Sequence, residues 1–196
     1  MNENKTSVRT LPPTPQPAGN YVPVREAHGV LYTAGHTSAV QGMLEHRGRV
    51  GQDLTVEEGR SAAATAVLNC LASLAAHAGG LDRIEEIVSM TGYVCAGSDF
   101  TDHPRVMDGA SEVLVSYFGD RGRPVRAAVG VSSLPDGAPV EISLLATIRS
   151  AQKSSAGPGS IGVTEQPGPA PAKCQDPISA AAQPGGRSGS APAAGP

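Results

Sequence analysis

Arg126 is the residue whose type and setting most directly suggest chemistry. It stands in the run P-V-R-A-A-V-G-V at 124–131, where all the remaining side chains are small or apolar. A guanidinium in such a strand is costly without an anion, and its planar fork matches the two oxygens of a carboxylate. The residues alone leave two interpretations open: a binding site for a carboxylic acid, or a salt bridge to Glu141 or to a carboxylate of another subunit.

Other catalytic chemistries lack their signatures. The chain contains no G-x-S-x-G, H-E-x-x-H, C-x-x-C, Walker loop or G-x-G-x-x-G motif. The lysines fall outside the expected folded core, which argues against Schiff-base catalysis, and the histidines lack the helical pairing of a metal site. We therefore expect no metal and no cofactor. The lysines in question are Lys5, Lys153 and Lys173, and the histidines are His28, His36, His46, His77 and His103.

The overall composition limits partners and location. A net charge of −3 with two Phe and no Trp argues against a nucleic-acid binder, which needs basic surface and aromatic platforms. The first ten residues lack the apolar core of a signal peptide, and no uncharged apolar stretch reaches the ~20 residues of a membrane span. Cys70, Cys95 and Cys174 have no disulfide or zinc spacing, so a cytoplasmic protein is expected.

Changes in composition divide the chain into three parts. Four prolines among residues 12–17 exclude regular helix and predict an extended arm over 1–19. Residues 20–150 alternate apolar runs with turn signals and are long enough to bury a core, which predicts one folded domain. Residues 151–196 consist largely of Gly, Pro, Ala, Ser and Gln, and this composition predicts a disordered tail.

Hydrophobic spacing predicts the elements of the central domain. A strand over Val30 to Ala34 pairs with residues near Tyr21 to Glu26 across a turn at 27–29. A capping box at Thr55 to Glu58 begins a helix that Gly79 ends. A strand over Ile84 to Val94 places Val88, Met90, Gly92 and Val94 on one face, and a second helix runs from Pro104 to Gly119. Two alternating strands follow, Val125 to Val131 and Val140 to Ile148.

This ββαβαββ order predicts an α+β fold in which two helices cover one face of a mixed sheet. The Pro and Gly at 135–137 suggest a turn between the last two strands as antiparallel neighbours. The uniformly apolar alternates are expected to face the helices: Val125, Ala127, Val129, Val131, Val140, Ile142, Leu144 and Ala146. Arg126 would then share the opposite face with Ala128, Gly130, Glu141, Ser143 and Leu145.

Several motifs together resemble one family. They are N-Y-V-P at 20–23, L-Y-T-A-G-H at 31–36, G-Q-D-L-T-V-E-E-G at 51–59, D-F-T-D-H-P at 99–104, D-G-A-S at 108–111 and P-V-R-A-A-V-G-V-S-S-L-P-D-G-A-P-V-E-I at 124–142. Between about Leu11 and Arg149 the chain resembles Rid (YjgF-like) proteins, reactive intermediate deaminases also labelled endoribonuclease L-PSP. The match is to their chorismate-mutase-like branch.

The resemblance implies a homotrimer whose sheets line a central barrel, with active sites in clefts between subunits. The arginine at the position of Arg126 would hold the carboxylate of an enamine or imine derived from an amino acid, of the 2-aminoacrylate or 2-iminopropionate type. Water would then add to the C=N carbon and ammonia would leave. Tyr21 and the backbone of Gly35 would border this pocket, with Val94 and Phe100 in its wall and Ala128 and Glu141 beside the arginine.

Several positions depart from the family pattern. Ala34 replaces the usual serine, His36 the usual glutamine, and Ser143 the carboxylate that positions water. The R-S-x motif has become Arg126-Ala127-Ala128, and Asp108 replaces the helix asparagine of this branch. A serine hydroxyl is a poor general base near neutral pH. We therefore expect a deaminase in which Ser143 or His36 and the backbone hold water. The alternatives are a non-catalytic module for small carboxylates and a biosynthetic enzyme acting on an imine-like intermediate, with His36 as acid or base. A ribonuclease, which the label of this branch names, is the least favoured because of the acidic net charge and the absence of paired histidines.

Overall fold

The computed structural model describes residues 10–149, in which a mixed sheet carries two helices on one face. The elements are β1 (Val24–Ala27), β2 (Val30–Thr33), β3 (His36–Thr37), α1 (Val56–Ala78), β4 (Ile84–Cys95), α2 (His103–Phe118), β5 (Val125–Val131) and β6 (Val140–Ile148). The predicted ββαβαββ order is confirmed, and β3 is a short addition to it. Residues 1–9 of the predicted arm and the predicted tail at 151–196 lie outside the described residues.

Local signals set the ends of α1 and the first turn. Thr55 Oγ1 accepts from the Glu58 backbone N–H at 3.2 Å, and Glu58 Oε2 accepts from the Thr55 N–H at 2.8 Å, which completes the predicted capping box. Gly79 ends the helix in the left-handed region, with φ 84°. His28 and Gly29 both have positive φ between β1 and β2, as a two-residue hairpin turn requires.

The strands lie in the order β1-β2-β6-β4-β5, and β3 pairs with β6. Strand β4 is parallel to β5, with α2 as the crossover, and antiparallel to β6. The expectation that β5 and β6 are antiparallel neighbours is wrong, because β4 lies between them. The turn-prone residues after β5 carry the chain past β4 rather than directly into an adjacent strand.

The assignment of faces is right for β6 and wrong for β5. Val140, Ile142, Leu144 and Ala146 are fully buried toward the helices. Arg126 pairs with the fully buried Met90, so it also lies on the helix side, whereas Val125 and Val129 are 72% and 43% exposed on the other face. A Cβ at Gly130 would lie 2.5 Å from His103 Nε2. The small residues Ala128 and Gly130 of β5 face the helices because α2 passes close above them.

The helix-covered face of the sheet holds the hydrophobic core. Leu71 and Leu74 of α1 and Met107 and Leu114 of α2 are fully buried in it. Helix α1 has the length and apolar composition of a membrane span, but 67% of that window is buried inside the domain. A core helix of a soluble protein passes the same test, and its burial against the sheet accounts for its composition. On β4, Met90, Gly92 and Val94 face this core as expected, whereas Val88 is 41% exposed beside a register shift.

Candidate functional site

The guanidinium of Arg126 lies between β5 and α2. Its Nη1 donates to Asp108 Oδ1 at 2.8 Å and to Ser111 Oγ at 2.9 Å, and its Nη2 donates to the carbonyl of Pro104 at 3.3 Å. The side chain is 25% exposed. Of the two interpretations, the structure supplies an ion pair, but its partner is Asp108 on α2 and not Glu141, because the two residues lie on opposite faces of the sheet.

Asp108 has a second cation within reach. Arg60 Nη1 lies 3.9 Å from Asp108 Oδ2, while Arg60 Nη2 donates to Glu112 Oε1 at 2.7 Å. The hydrogen bond to Glu112 raises the pKa of Arg60. The carboxylate of Asp108 is 46% exposed. Arg126 and Arg60 therefore share one carboxylate at the surface of α2, so a carboxylate that took its place on Arg126 would not leave Asp108 without a cation.

A second group of the expected site residues surrounds a cavity of about 530 Å³ beneath the proline-rich arm, here called the arm cleft. Residues 13–16 and Ala18 of the arm line it. The lining also includes Tyr21, Gly35, His36, Asn69, Asp136 and Glu141. Burial raises the pKa of Glu141 and lowers the pKa of His36. The structure thus brings together four residues that the sequence assigned to the pocket: Tyr21, Gly35, His36 and Glu141.

Close contacts define the shape of the arm cleft. A Cβ at Gly35 would lie 1.9 Å from Glu141 Oε1, so the missing side chain makes room for this carboxylate. Asn69 Nδ2 donates to the carbonyls of Thr37 and Ala39 at 2.9 and 2.7 Å and ties the segment after β3 to α1. The sequence analysis did not identify Asn69. The sequence feature that could have indicated it is an asparagine among the apolar residues that recur at helical spacing in α1.

The remaining expected residues lie elsewhere. Ser143 pairs with Thr91 on the sheet face away from the helices, here called the open face. Ala34 donates its N–H to the carbonyl of Pro23. Val94 is fully buried in the core. Phe100 stacks edge-on against His103, with 5.0 Å between ring centroids, in a separate cleft of about 450 Å³.

Within one chain, these residues therefore form separate groups. Arg126 and Ala128 lie on the helix side of the edge strand β5, whereas the arm cleft lies where β3 joins β6. Strand β4 separates β5 from β6. A small ligand that contacts Arg126 and either Ser143 or the arm cleft must consequently bridge two copies of the chain.

The arrangement of potential metal ligands and of the cysteines is as follows. Between residues 10 and 149, no group of three or more His, Cys, Asp or Glu side chains is arranged to hold a metal ion. Cys70 and Cys95 are free and buried. Burial raises the pKa of the Cys70 thiol far above its usual range, which keeps it protonated and unreactive.

The α+β fold and the partly exposed Arg126 on an edge strand can be compared with those of known proteins. The family model described as "YjgF/chorismate mutase-like, putative endoribonuclease" matches residues 6–147. Protein TCP17 of Trypanosoma cruzi is 37% identical over 138 residues, which cover 69% of this chain and 85% of that protein. The chain belongs to the Rid/YjgF-like family.

Solved structures agree with this assignment. The protein Atu1372 of Agrobacterium tumefaciens, of unknown function, is 35% identical with a TM-score of 0.66; the match covers 68% of this chain and 86% of that one. A "putative endoribonuclease" of Shewanella oneidensis is 33% identical with a TM-score of 0.68, covering 71% and 92%. The two-helix mixed-sheet fold is therefore shared with experimentally determined relatives.

Proposed function

We propose that this protein hydrolyses a reactive enamine or imine of a small 2-amino acid to the keto acid and ammonia. The observation that carries the proposal is the guanidinium of Arg126, which is partly exposed at the edge of the sheet with Nη2 bonded only weakly, at 3.3 Å, to the Pro104 carbonyl. Such a fork suits the two oxygens of a substrate carboxylate.

Substrate binding on Arg126 is an exchange of carboxylates. The incoming acid displaces Asp108, which turns toward Arg60, already 3.9 Å away. Exchange keeps every guanidinium paired, and an exposed pair of this kind contributes at most about 1 kcal/mol. The local pair is therefore weak enough for a small ligand to replace it.

The site requires a neighbouring subunit, and we propose a homotrimer. Arg126 lies at the β5 edge, while Ser143 lies on the open face of β6. Tyr32, Val125 and Val129 are between 43% and 72% exposed, and all three lie on the open face. Association through the open face would bury these apolar side chains. Because β5 is an edge strand, the same association would place Arg126 at a subunit boundary, next to the β6 residues of the neighbouring subunit.

The reaction needs one water and two proton transfers to nitrogen. Water attacks the C=N carbon of the imine, a C–O bond forms, the C=N π electrons move to nitrogen, and nitrogen takes the proton that the water loses. The carbinolamine then collapses: its hydroxyl proton passes to nitrogen, the C–N bond breaks as the C=O bond forms, and ammonia leaves with the keto acid. Ser143 Oγ can orient the water. Glu141, on the same face of β6 and with a raised pKa, is the group suited to carry the proton.

The test measures ammonia and keto-acid release from imines made in situ by an amino-acid oxidase, with free imine trapped by semicarbazide. Wild type is compared with Arg126→Ala and with Arg123→Ala, which removes a nearby arginine that pairs with Asp120 on its own turn. We expect acceleration by wild type and Arg123→Ala, and a loss of at least about a hundredfold for Arg126→Ala. Equal rates with Arg126→Ala and wild type would refute the proposal.

A non-catalytic module for small carboxylates is the second candidate. The observation that favours it is Ser143, a hydroxyl without a base of its own where a carboxylate would activate water. It predicts that the chain binds pyruvate through Arg126 but does not accelerate ammonia release. Ser143→Glu would then introduce turnover, whereas the deaminase proposal requires turnover in the natural chain.

A further inference from the structure

The cleft beside Phe100 and His103, here called the Arg49 cleft, opens where the parallel strands β4 and β5 end. Its volume is about 450 Å³. Its lining includes Ala96, which follows β4, Ser132, which follows β5, and His103, which begins α2. The carboxyl ends of parallel strands are a common place for ligand sites. The question is therefore which chemistry this cleft offers.

Arg49 brings a guanidinium to the cleft on a fixed backbone. Its N–H donates to Asp53 Oδ2 at 2.8 Å. Its carbonyl accepts from the N–H groups of Gln52, Asp53 and Leu54 at 3.2, 2.8 and 3.1 Å. The guanidinium itself has no hydrogen-bond or ion-pair partner among residues 10–149. All its donors are therefore available to a ligand in the cleft.

Two aromatic rings form a wall of the cleft and are held in place by glycines. A Cβ at Gly51 would overlap the ring of Phe100, and a Cβ at Gly130 would overlap the imidazole of His103. The two rings meet edge-on, with 5.0 Å between their centroids. The position of the His103 imidazole is thus set by its packing, and in either protonation state one of its nitrogens can donate.

The polar groups of the cleft suit an anion. Arg49 is a cation, and Ser98, His103 and Ser132 carry hydrogen-bond donors. None of the described residues that line the cleft is acidic. Asp99 lines the adjoining cavity and accepts from Ser98 Oγ at 3.2 Å. The planar fork of a free arginine matches the two oxygens of a carboxylate.

Arg126 lies on the same side of β5 as this cleft. Arg126 and Gly130 both face α2, and the four residues of strand between them span about 13 Å. Arg126 Nη2 donates to the carbonyl of Pro104, the residue that directly follows His103. The Arg126 guanidinium thus extends toward the start of α2, so one molecule of a few carbon atoms can reach both Arg126 and the cleft within one chain.

We propose that the Arg49 cleft selects substrates with two carboxylates. Arg126 holds the carboxylate next to the imine carbon, and Arg49, assisted by His103, holds the carboxylate at the far end of the same molecule. The preferred substrates are therefore imines of dicarboxylic amino acids. This inference rests on Arg126 as the carboxylate anchor of the proposed deaminase, and it deepens that proposal by naming a substrate class and a residue that selects it.

The test is calorimetric titration of the full chain with keto acids of two lengths. The diacids are 2-oxoglutarate and 2-oxoadipate, and their counterparts with a methyl group in place of the far carboxylate are 2-oxopentanoate and 2-oxohexanoate. We expect at least one diacid to bind at least about fivefold more tightly than its counterpart. Arg49→Gln should abolish this advantage and leave binding of the monoacids unchanged.

Arg47→Gln is the matched control, because Arg47 donates to the Asp136 carbonyl and does not line the cleft. Two results would overturn the inference: equal affinity for diacid and counterpart at both lengths, or a diacid advantage that Arg49→Gln retains. Circular dichroism of each variant checks that it is folded.

Arg126→Ala distinguishes a failure of this inference from a failure of the proposed function. If that variant loses affinity for all four acids while the diacids show no advantage in wild type, only the present inference fails. Wild type that binds none of the acids, or Arg126→Ala that binds them all as wild type does, contradicts the carboxylate anchor and this inference together.

Discussion

The Arg126 guanidinium on β5 donates to the Asp108 carboxylate on α2, with 2.8 Å between Nη1 and Oδ1. This pair occupies one of the positions on the guanidinium that the proposed substrate carboxylate would take. Asp108 thus competes for the group that we propose as the carboxylate anchor.

Removing the charge of Asp108 should favour carboxylate binding. We expect Asp108→Asn to tighten pyruvate binding by about two- to fivefold, which corresponds to the loss of one partly exposed ion pair. Pyruvate affinity would be measured by calorimetry at low salt. Asp102→Asn is the matched control, because Asp102 pairs with Arg105 near the same end of α2 and has no contact with Arg126. Weaker binding to Asp108→Asn would contradict the competition.

Close packing of the two helices depends on Gly109. A Cβ at this position would lie 2.3 Å from the Arg60 backbone carbonyl oxygen, which cannot move without shifting α1. Although alanine is the better helix former, we expect Gly109→Ala to lower the free energy of unfolding by about 1–3 kcal/mol. Urea denaturation measures this change. Ser116→Ala on the same helix should change it by less than about 0.5 kcal/mol, and a stabilised Gly109→Ala would show that the helices can separate freely.

The capping box of α1 makes stability depend on acid. Hydrogen bonds from the Thr55 backbone and hydroxyl lower the pKa of Glu58. Its contribution is therefore fully present above the ordinary carboxyl pKa, about 4.3, and is lost as pH falls through the lowered folded value. Urea midpoints should show wild type above Glu58→Gln at pH 7 and a gap that closes in acid. Glu57→Gln, in the same turn, should not reproduce this closure.

The open face provides a test of assembly. Val129 is 43% exposed there, and we expect Val129→Glu to convert a trimer into monomers because it places a charge where apolar surfaces would meet. Sedimentation analysis would report three times the chain mass for wild type and a single chain mass for the variant. Met43→Glu, 70% exposed outside the sheet, serves as control. A monomeric wild type would refute the trimer.

Local sequence signals predicted the elements accurately. The capping box at Thr55, the left-handed Gly79, the His28-Gly29 turn and Pro104 in the first turn of α2 each act over only a few residues. Their conformational preferences therefore survive whatever the rest of the chain does. The apolar alternation of β6 was equally reliable, because its other face carries Glu141 and Ser143, which left one set of side chains suited to the core.

Strand β5 shows where such reasoning stops. Apart from Arg126, both of its alternating sets are small or apolar, so periodicity could not decide which set faces the helices. The passage of α2 over Gly130 made that choice and turned Arg126 toward Asp108. The prediction that β5 and β6 are neighbours was wrong for a related reason: which strands pair depends on contacts between residues far apart in the chain, and the turn signals between β5 and β6 do not report those contacts.

The sequence by itself determined the family, the order of the elements and the arginine that makes carboxylate chemistry plausible, because motifs, caps and turns are short-range properties of the chain. Tertiary structure alone decided that Arg126 and Ser143 lie on opposite faces, and that residues 13–16, His36, Asn69 and Glu141 line one cleft. Those relationships join segments more than a hundred residues apart. Only packing of the two helices on the sheet sets the distances between them.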